Sequence, residues 1–359
     1  MKLTSLDAAA YRVPTDGPEA DGTFAWDSTT VVVVEASAEG AVGAGWTFAP
    51  AAAVAVVDEL LTPVLRDRDV AEVERCWEDM VRAVRNAGRP GLVGMALSAV
   101  DIALWDLRGR VEERTLSELW GVSAARVEAY GSGGFTTYDA EQLDAQVADW
   151  LALGLRHVKI KIGESWGSRV QRDLDRTEQV RRAVGEDVEV FVDANGAYSA
   201  EQAGTVGRVL DGLGVAWFEE PVSSDDLAGL DEVRHRVQAD VAAGEYGYDE
   251  AYLARMAPYV DCLQLDVTRC GGYTGWRRAV SALPAGTALS AHCAPYVTVP
   301  VAATTPGLRH VEWFHDHVRI AQDLFDGYAD PVGGVLRPAA EPGHGLHFRS
   351  QAAEQFRVA

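Results

Sequence analysis

Residues 188–221 of the chain are VEVFVDANGAYSAEQAGTVGRVLDGLGVAWFEEP, and this stretch decides the fold. It contains an apolar run at Val188–Val192, an amphipathic segment at Ala200–Leu213 and a second apolar run at Val215–Phe218. Short apolar runs that alternate with segments of helical length are typical of a parallel sheet built from strand–helix units. The stretch therefore predicts one strand–helix–strand unit of an α/β fold.

The same alternation extends over most of the chain, from about Ala124 onward. Eight apolar runs follow this pattern, and eight such strands fit a closed barrel better than an open sheet. The predicted strands are Val127–Tyr130, Val158–Ile160, Val188–Val192, Val215–Phe218, Asp240–Ala243, Cys262–Leu265, Ala288–Ser290 and His310–Trp313.

The first 120 or so residues have a different pattern, which predicts a separate α+β unit. Ser5–Arg12 and Thr29–Ala36 are predicted strands, joined by a loop that is rich in proline, glycine and aspartate. Helical segments are predicted to follow at Ala51–Leu65, Val70–Ala87 and Val93–Val111. The boundary between the two units falls near Gly121–Val127.

The composition describes a protein with a large core and a strong negative charge. Of its 359 residues, 48% are hydrophobic and 24% are charged, and the net charge is −22 at pH 7. This charge argues against nucleic acid and against an anionic membrane as partners, because both are polyanions. The chain has no stretch long and apolar enough to span a membrane, no signal-peptide pattern at Met1-Lys2-Leu3-Thr4 and no CxxC pair. We therefore expect a cytoplasmic protein with reduced cysteines.

Lysine is rare in this chain, and its placement is informative. The 32 basic residues include three lysines, Lys2, Lys159 and Lys161. Lys159 and Lys161 stand two residues apart on one predicted strand and therefore share a face. Arginine keeps its proton in proteins, whereas two crowded ammonium groups lower each other's pKa. The pair predicts a general base; the alternative is a pair of solvated surface charges.

Three acids lie at the ends of three successive predicted strands: Asp193, Glu219 and Glu245. The C-terminal ends of barrel strands face one mouth, so the three carboxylates are expected to converge there. Carboxylates at close range repel each other unless a cation neutralises them. Hard oxygen ligands suit Mg²⁺ best, with Mn²⁺ as a substitute. The pattern predicts a metal site, although each acid alone could equally cap the following helix.

A histidine and two further acids complete the predicted mouth. His292 follows the seventh strand and Asp266 the sixth, so Asp266 can fix the tautomer of the imidazole and raise its basicity. The alternative for His292 is a hydrogen-bonded core histidine. Glu312, on the eighth strand, is either a pocket acid or a helix cap. Surface or interface roles are predicted for the neighbouring histidines, His310, His315 and His317.

The order of these motifs resembles that of the mandelate racemase subgroup of the enolase superfamily, in the mandelate racemase/muconate lactonizing enzyme family. The resemblance covers nearly the whole chain and is carried by Lys159-Ile160-Lys161, Asp193-Ala194-Asn195, Glu219-Glu220-Pro221, Glu245, Asp266 with Gly271-Gly272, His292 and the segment Ala96–Leu107. It implies a modified (β/α)7β TIM barrel at 124–325. It also implies an N-terminal α+β capping domain at 1–123, completed by the C-terminal segment at 326–359, and a homo-oligomer.

The resemblance implies a set of catalytic roles. Mg²⁺ would be held by the three acids, and the proton α to a carboxylate of a small-molecule substrate would be abstracted to give a metal-stabilised enediolate. Lys161 would be the base on one face, with Lys159 as its electrostatic neighbour. His292, oriented by Asp266, would act on the other face.

Substrate contacts are implied as well. Glu312 would hydrogen-bond the substrate carboxylate, and Asn195 would contact the substrate through its amide. Trp26 and Trp46, with Phe48, lie near the expected specificity loops of the capping domain and are expected either to narrow the pocket or to favour a less polar substrate.

Two reactions use these same residues. The resemblance favours dehydration of a sugar acid, an α,β-dihydroxy acid, to a 2-keto-3-deoxy acid, as in carbohydrate acid catabolism. The alternative is a racemase or epimerase of an α-hydroxy acid. A Schiff-base aldolase, with a barrel lysine as nucleophile, and a non-catalytic binding protein stay open as further alternatives.

Overall fold

The structure is a computed structural model that describes residues 1–121 and 126–359. Eight parallel strands form a closed barrel, because the last of them, β11, also pairs with the first, β4. The barrel strands are β4 (Val127–Gly133), β5 (His157–Lys161), β6 (Glu189–Asp193), β7 (Val215–Glu219), β8 (Asp240–Ala243), β9 (Cys262–Leu265), β10 (Leu289–Ala291) and β11 (Leu308–Phe314). The predicted barrel is confirmed.

Helices follow the barrel strands, as the (β/α)7β architecture requires. They are α6 (Ala140–Ala152), α7 (Glu164–Gly167), α8 (Val170–Val184), α9 (Ala200–Gly212), α10 (Leu227–Arg234), α11 (Glu250–Met256), α12 (Gly272–Ala282), α13 (Pro295–Ala302) and α14 (His315–Leu324). Among the helices of the described residues, none is both long and apolar enough to cross a membrane.

The capping domain is an antiparallel sheet with helices packed on one face. Its strands are β1 (Ser5–Ala20), β2 (Ala25–Ala38) and β3 (Ala41–Phe48), and its helices are α1 (Ala52–Val56), α2 (Thr62–Leu65), α3 (Val73–Ala83), α4 (Leu92–Val111) and α5 (Leu116–Leu119). A π-helical turn at Val57–Leu61 joins α1 to α2.

The β1–β2 hairpin is longer than the sequence predicts. The segment from Pro14 to Ala20, predicted as a loop, continues β1, with an irregular register between Pro14 and Glu19. The turn lies at its far end, where the backbone N–H groups of Thr23 and Phe24 donate to Oδ1 of Asp21 at 2.6 and 2.7 Å. The turn-forming residues 15–18 thus lie at an irregularity within the hairpin, pairing with β2 resumes at Glu19 and Ala20, and the hairpin reaches the barrel mouth.

Helix α4 is the core of the capping domain and packs closely on β3. It is buried over nearly its whole length, which explains why it is apolar on all sides. A Cβ at Gly45 would lie 2.2 Å from the carbonyl oxygen of Ala99, and one at Gly43 would lie 2.3 Å from the amide nitrogen of Leu107. Glycine at these two positions allows the helix to approach the sheet.

The C-terminal segment returns to the capping domain, as predicted. It contains β12 (Phe325–Asp326), β13 (Val335–Leu336), β14 (His347–Phe348) and α15 (Ser350–Ala353). His344 contacts the carbonyl oxygen of Ala44 through Nε2 at 2.8 Å, and its backbone N–H donates to Oδ1 of Asp106 at 2.9 Å. The predicted domain boundary between residues 123 and 124 lies outside the described residues.

Candidate active site

Three carboxylates converge at the C-terminal mouth of the barrel. Asp193 ends β6 and Glu219 ends β7, and the two residues are paired in register. Glu245 follows β8 by two residues. One carboxylate oxygen from each lies within 4.8 Å of the others, and all three side chains are buried. The structure thus brings together the three acids predicted as metal ligands.

A glycine allows Glu245 to reach this position. Gly244 has a φ of +138°, and a Cβ there would lie 2.3 Å from the carbonyl oxygen of Gln264. Any other residue at this position would clash with the backbone of β9. The sharp turn after β8 therefore depends on glycine.

The donor set fits a hard divalent cation. Burial and the neighbouring Asp193 carboxylate raise the pKa of Glu219 to about 8, so the cluster resists full ionisation without added positive charge. Oε2 of Glu245 is buried and has no hydrogen-bond partner among the described residues. Mg²⁺ binds carboxylate oxygens, so an unpaired carboxylate oxygen beside two other carboxylates fits a Mg²⁺ site.

Both predicted lysines contact this cluster. Nζ of Lys161 lies 2.5 Å from Oδ2 of Asp193. Nζ of Lys159 is fully buried and lies 2.7 Å from Glu219 Oε1 and 2.7 Å from Glu312 Oε1. The solvated-surface alternative for these lysines is therefore wrong.

The pKa values of the lysines differ from the expectation. Burial lowers the pKa of Lys161, and the neighbouring ammonium of Lys159 lowers it further, as predicted. The carboxylate of Asp193 outweighs both effects, so the pKa lies above its ordinary value in the metal-free protein. The expected net depression by the lysine pair is thus wrong, because the sequence does not show how close the acids lie.

His292 and Asp266 form the predicted dyad. The imidazole Nδ1 lies 2.8 Å from Oδ2 of Asp266, and the other oxygen of that carboxylate accepts hydrogen bonds from the backbone N–H and the hydroxyl of Thr268, both at 2.7 Å. Because a carboxylate can only accept, Nδ1 carries the proton and Nε2 is the free atom of the ring. His292 also lines the cavity above the barrel mouth.

Glu312 is held as a carboxylate by several donors. Its Oε1 accepts from the Ser132 hydroxyl at 2.7 Å as well as from Lys159, and its Oε2 accepts from the backbone N–H of Cys293 at 2.9 Å. Burial opposes ionisation, yet Lys159 and His292 hold the pKa of Glu312 well below its usual range. Of the two predicted alternatives, the pocket acid fits this position, because Glu312 lines the cavity.

A cavity of about 490 Å³ lies between the barrel mouth and the capping domain. Its walls include residues from the mouth and from the β1–β2 hairpin, among them Lys161, Asn195, Glu245, His292, Glu312, Trp26, Ser28, Thr29 and Thr30. Asn195 has a left-handed φ of 45°, and its Oδ1 is buried without a hydrogen-bond partner in the part of the chain described. Asn195 and Trp26 thus lie where substrate-contacting residues were predicted.

Trp46 does not lie there, and its predicted substrate contact is wrong. It is 2% exposed and packs against Phe325 and His344, with ring centroids 4.2 and 5.7 Å away. Phe48, two residues further on the same face of β3, does line the cavity. The C-terminal segment covers Trp46, and this contact between distant parts of the chain has no signal in the sequence.

The structure adds two residues that sequence reasoning missed. Cys293 lines the cavity with its Sγ 3.2 Å from Nε2 of His292. His317, predicted at a surface or interface, also lines the cavity and stacks on Phe48 with ring centroids 3.4 Å apart. The backbone N–H of Ala294 donates to Nδ1 of His317 at 3.2 Å, so Nε2 carries the proton. Burial lowers the pKa of His317 to about 3, which makes it a neutral donor.

Comparison with known proteins agrees with this geometry. Arabinonate dehydratase from Saccharolobus solfataricus is 33% identical over 243 residues, which cover 66% of this chain and slightly under two thirds, 64%, of that protein. D-galactarolactone cycloisomerase from Agrobacterium fabrum is 30% identical, with 100% of this chain and 99% of that protein covered.

Solved structures show the same similarity. A mandelate racemase/muconate lactonizing enzyme-like protein from Rubrobacter xylanophilus is 42% identical, with a TM-score of 0.96 and both chains covered at 100%. A racemase from Streptomyces coelicolor A3(2), solved with bound magnesium, is 28% identical with a TM-score of 0.91, and 99% of this chain and 100% of that chain are covered.

Family models match both parts of the chain. The model of the mandelate racemase/muconate lactonizing enzyme N-terminal domain matches residues 12–121, and the enolase C-terminal domain-like model matches residues 142–352. Together the two matches include more than half of the chain. The chain therefore belongs to the mandelate racemase/muconate lactonizing enzyme family of the enolase superfamily.

Proposed function

We propose that this protein dehydrates a sugar acid to a 2-keto-3-deoxy acid, and that it does so by Mg²⁺-dependent abstraction of the proton α to the carboxylate. One observation carries the proposal. Lys161, the candidate base on the second barrel strand, lines the same cavity as His292, the candidate acid after the seventh strand. Three converging carboxylates lie beside them. A surface used only for binding gains nothing from two proton-transfer groups beside a metal site.

Asp193, Glu219 and Glu245 would hold the cation. A bound Mg²⁺ supplies positive charge at the substrate carboxylate, which lowers the cost of the negative charge that develops when the α-proton leaves. Lys159 lies beside the carboxylate cluster and is fully buried, whereas Lys161 lines the cavity. Lys159 therefore acts through its charge, and it holds Glu219 and Glu312 in place.

Lys161 is the proposed base. Its Nζ takes the α-proton, and among the described lysines it is the one that lines the cavity. The same strand, β5, places Lys159 and Lys161 on one face, and the register pairs Lys161 with Asp193 on β6. This pairing fixes the amine at the edge of the carboxylate cluster.

His292 is the proposed acid. Its Nε2 gives a proton to the β-hydroxyl as the carbon–oxygen bond breaks, so that the hydroxyl leaves as water and the resulting enol tautomerises to the 2-keto-3-deoxy acid. Asp266 keeps the proton on Nδ1 and stabilises the imidazolium before transfer. Burial lowers the pKa of His292, but Glu245 and Glu312 outweigh it and raise the pKa above its ordinary value.

The cavity wall suits a substrate with several hydroxyl groups. Its lining includes Ser28, Thr29 and Thr30 of the hairpin, and Asn195 and His317 on the barrel side. The Thr29 hydroxyl already donates to Asp316, and the rings of Trp26 and Phe48 add an apolar part to the wall. The hydroxyl, amide and imidazole groups in the lining form hydrogen bonds with alcohols. The similarity to arabinonate dehydratase supports a polyhydroxylated acid as well.

Isomerisation is the second candidate function. It is favoured by the similarity to a cycloisomerase that aligns over 100% of this chain. In that case His292 returns a proton to a carbon of the substrate instead of to a leaving hydroxyl. A Schiff-base aldolase is disfavoured, because Schiff-base chemistry needs no metal ion, whereas Lys161 lies beside three converging carboxylates that suit a divalent cation.

The test is proton NMR in D₂O with Mg²⁺ and separate samples of arabinonate, galactarate, glycerate, lactate and mandelate. We expect loss of the α-proton signal and a new 3-deoxy methylene signal for at least one sugar acid. Deuterium at the α-carbon without a methylene signal would establish isomerisation instead. Turnover that persists after complete chelation with EDTA would overturn the metal-dependent mechanism.

A further inference from the structure

A second group of ionisable side chains lies outside the barrel mouth, between the β1–β2 hairpin and α14. Asp16 and Glu19 come from the distal half of β1, and His315 is the first residue of α14. Nε2 of His315 lies 2.9 Å from Oδ2 of Asp16. One ligand atom from each of the three residues lies within 4.8 Å of the other two. The group therefore connects the capping domain to the barrel.

Glu19 is the unusual member of this group. Its side chain is 1% exposed. Oε2 accepts a hydrogen bond from Nε1 of Trp26 at 2.7 Å, whereas Oε1 is buried and has no hydrogen-bond partner within the described ranges. Burial, together with the carboxylates of Asp316 and Asp16, raises the pKa of Glu19 to about 8, although the hydrogen bond from Trp26 and the charge of Arg319 oppose this shift. A buried carboxylate oxygen with anions around it requires either a proton or a cation.

The protein supplies little positive charge of its own at this place. Arg319 is the nearby basic side chain, and its Nη2 donates to Oδ1 of Asp316 at 2.7 Å. In residues 1–121 and 126–359, no lysine or arginine nitrogen lies within 4.0 Å of a carboxylate oxygen of Asp16 or Glu19. Among the described residues, the free Oε1 of Glu19 therefore has no cation in direct contact, and the charge of Arg319 acts on Glu19 only from a distance.

We propose that Asp16, Glu19 and His315 form a second cation site, which takes a divalent transition-metal ion such as Zn²⁺. One imidazole nitrogen and two carboxylate oxygens are ligands that Zn²⁺ binds well, whereas Mg²⁺ prefers oxygen ligands alone. Asp16 and His315 also line an open cavity of about 600 Å³, which gives an ion a path from solvent.

The position of the site gives it a structural consequence. Glu19 holds the indole of Trp26, and Trp26 lines the catalytic cavity and packs edge-on against Phe135. An ion on Glu19 ties the hairpin to α14 and fixes the carboxylate that orients this indole. The site thus secures one wall of the catalytic cavity without touching the barrel mouth.

The experiment measures the thermal midpoint of the full chain with Zn²⁺ as the probe. The protein is stripped with EDTA, dialysed, and saturated with Mg²⁺ so that the barrel mouth is occupied, and Zn²⁺ is then added. We expect a rise in Tm of about 2–4 °C at a Zn²⁺ concentration of roughly 100 times the Kd. Bound zinc is counted by mass spectrometry.

Three variants separate the second site from the mouth. Glu19→Gln keeps an acceptor for Trp26 but removes the charge, and His315→Phe removes the nitrogen ligand; both should abolish the Tm rise. Asp27→Asn, an exposed change on the same hairpin, should retain it. An undiminished rise in Glu19→Gln and His315→Phe would assign the zinc to the mouth and overturn the proposal.

A second readout does not depend on the variants. Co²⁺ added to the Mg²⁺-saturated wild-type protein should give visible absorption bands typical of a nitrogen-containing site, and one equivalent of Zn²⁺ should remove them. Absence of both the bands and the Tm rise would mean that Glu19 holds a proton only, and the proposal would then fail.

Discussion

Two clusters of buried carboxylates in this protein are compensated in different ways. At the barrel mouth, Asp193, Glu219 and Glu312 each lie 2.5–2.7 Å from a lysine ammonium. At the hairpin, Glu19 is equally buried but has no such partner in the described chain. The first cluster carries its own cations within strand β5, whereas the second depends on what the solvent supplies.

The difference shows how the two parts of the molecule are built. Parallel strands in register place ionisable groups from neighbouring strands at one height, so the two lysines offset part of the negative charge of the acids at the mouth. The hairpin cluster instead joins a capping strand to a barrel helix, and no register couples those two elements. Charge compensation at the mouth is thus part of the fold, while at the hairpin it is left open.

The largest expected effect tests whether a mouth lysine does more than balance charge. Lys161→Arg keeps a cation beside Asp193 but removes the group that can give up a proton. We expect α-proton exchange to fall about 10³-fold, measured by proton NMR in D₂O, with an unchanged circular dichroism spectrum. Lys2→Arg is the matched control. If the Lys161→Arg variant stays active, Lys161 only balances charge and is not the base.

The next effect concerns the acids at the same mouth. Glu219→Gln removes one charged ligand and keeps one acceptor oxygen, which can accept from Lys159 or from the Trp217 indole in place of the two carboxylate oxygens that now accept from them. Mg²⁺ affinity should fall at least about 100-fold, because even residues that only support metal ligands contribute 10- to 100-fold. Isothermal titration calorimetry measures this loss, and the exposed change Asp225→Asn serves as control. An unchanged isotherm would remove Glu219 from the ligand set.

The sequence predicts the mouth far better than the hairpin, for a physical reason. Strand ends repeat with the strand–helix period, so Lys161, Asp193 and Glu219 can be assigned to one rim without coordinates. Two predicted strands, Asp240–Ala243 and Cys262–Leu265, match the observed bounds. These features depend on local pattern alone.

Contacts between distant elements leave no such pattern. Pro14, Gly17 and Pro18 indicate a loop, yet pairing with β2 on both sides of the irregularity keeps that segment in β1. The free Nε2–H of His317 depends on a hydrogen bond from Ala294, on another element. The burial of Trp46 depends on a C-terminal segment almost 300 residues away, with Phe325 against its ring. Each of these outcomes is set by tertiary packing, which overrides local propensity.

A smaller effect tests the wall where the capping domain meets the barrel. His317→Phe preserves the stacked ring against Phe48 but removes the Nε2–H donor. Because one neutral hydrogen bond contributes about 1 kcal/mol, kcat/KM for a sugar acid should fall about 3- to 10-fold, mainly through KM. His235→Phe, at an exposed histidine, is the control. Equal losses for a sugar acid and for α-proton exchange of glycerate would show that His317 does not contact the distal hydroxyls.

The smallest expected effect is on stability and comes from a third buried carboxylate, for which burial is the largest influence on the pKa and the charge of Glu74 a smaller one. Asp101, on α4, is fully buried, and its Oδ2 accepts from the backbone N–H of Thr274 at 2.9 Å. Burial raises its pKa to about 7, although the hydrogen bonds from Thr274 oppose this shift. Asp101 therefore shows mainly how burial alone raises the pKa of a carboxyl group. At the mouth, lysine ammonium groups oppose this rise, and at the hairpin we propose that a bound ion opposes it.

The contribution of Asp101 to stability depends on pH because its pKa differs between the folded and the unfolded state. With a pKa near 7 in the folded state and about 3.9 in the unfolded state, the folded protein binds more protons between these values. Stability from this group is complete below pH 4 and is lost as the pH rises through 7. Asp101→Asn removes that dependence, so the wild type should lose a few °C in Tm relative to the variant between pH 5 and pH 8. Asp67→Asn, an exposed change, should follow the wild type. Parallel curves for Asp101→Asn and the wild type would mean that hydrogen bonds from Thr274 already suffice to ionise Asp101.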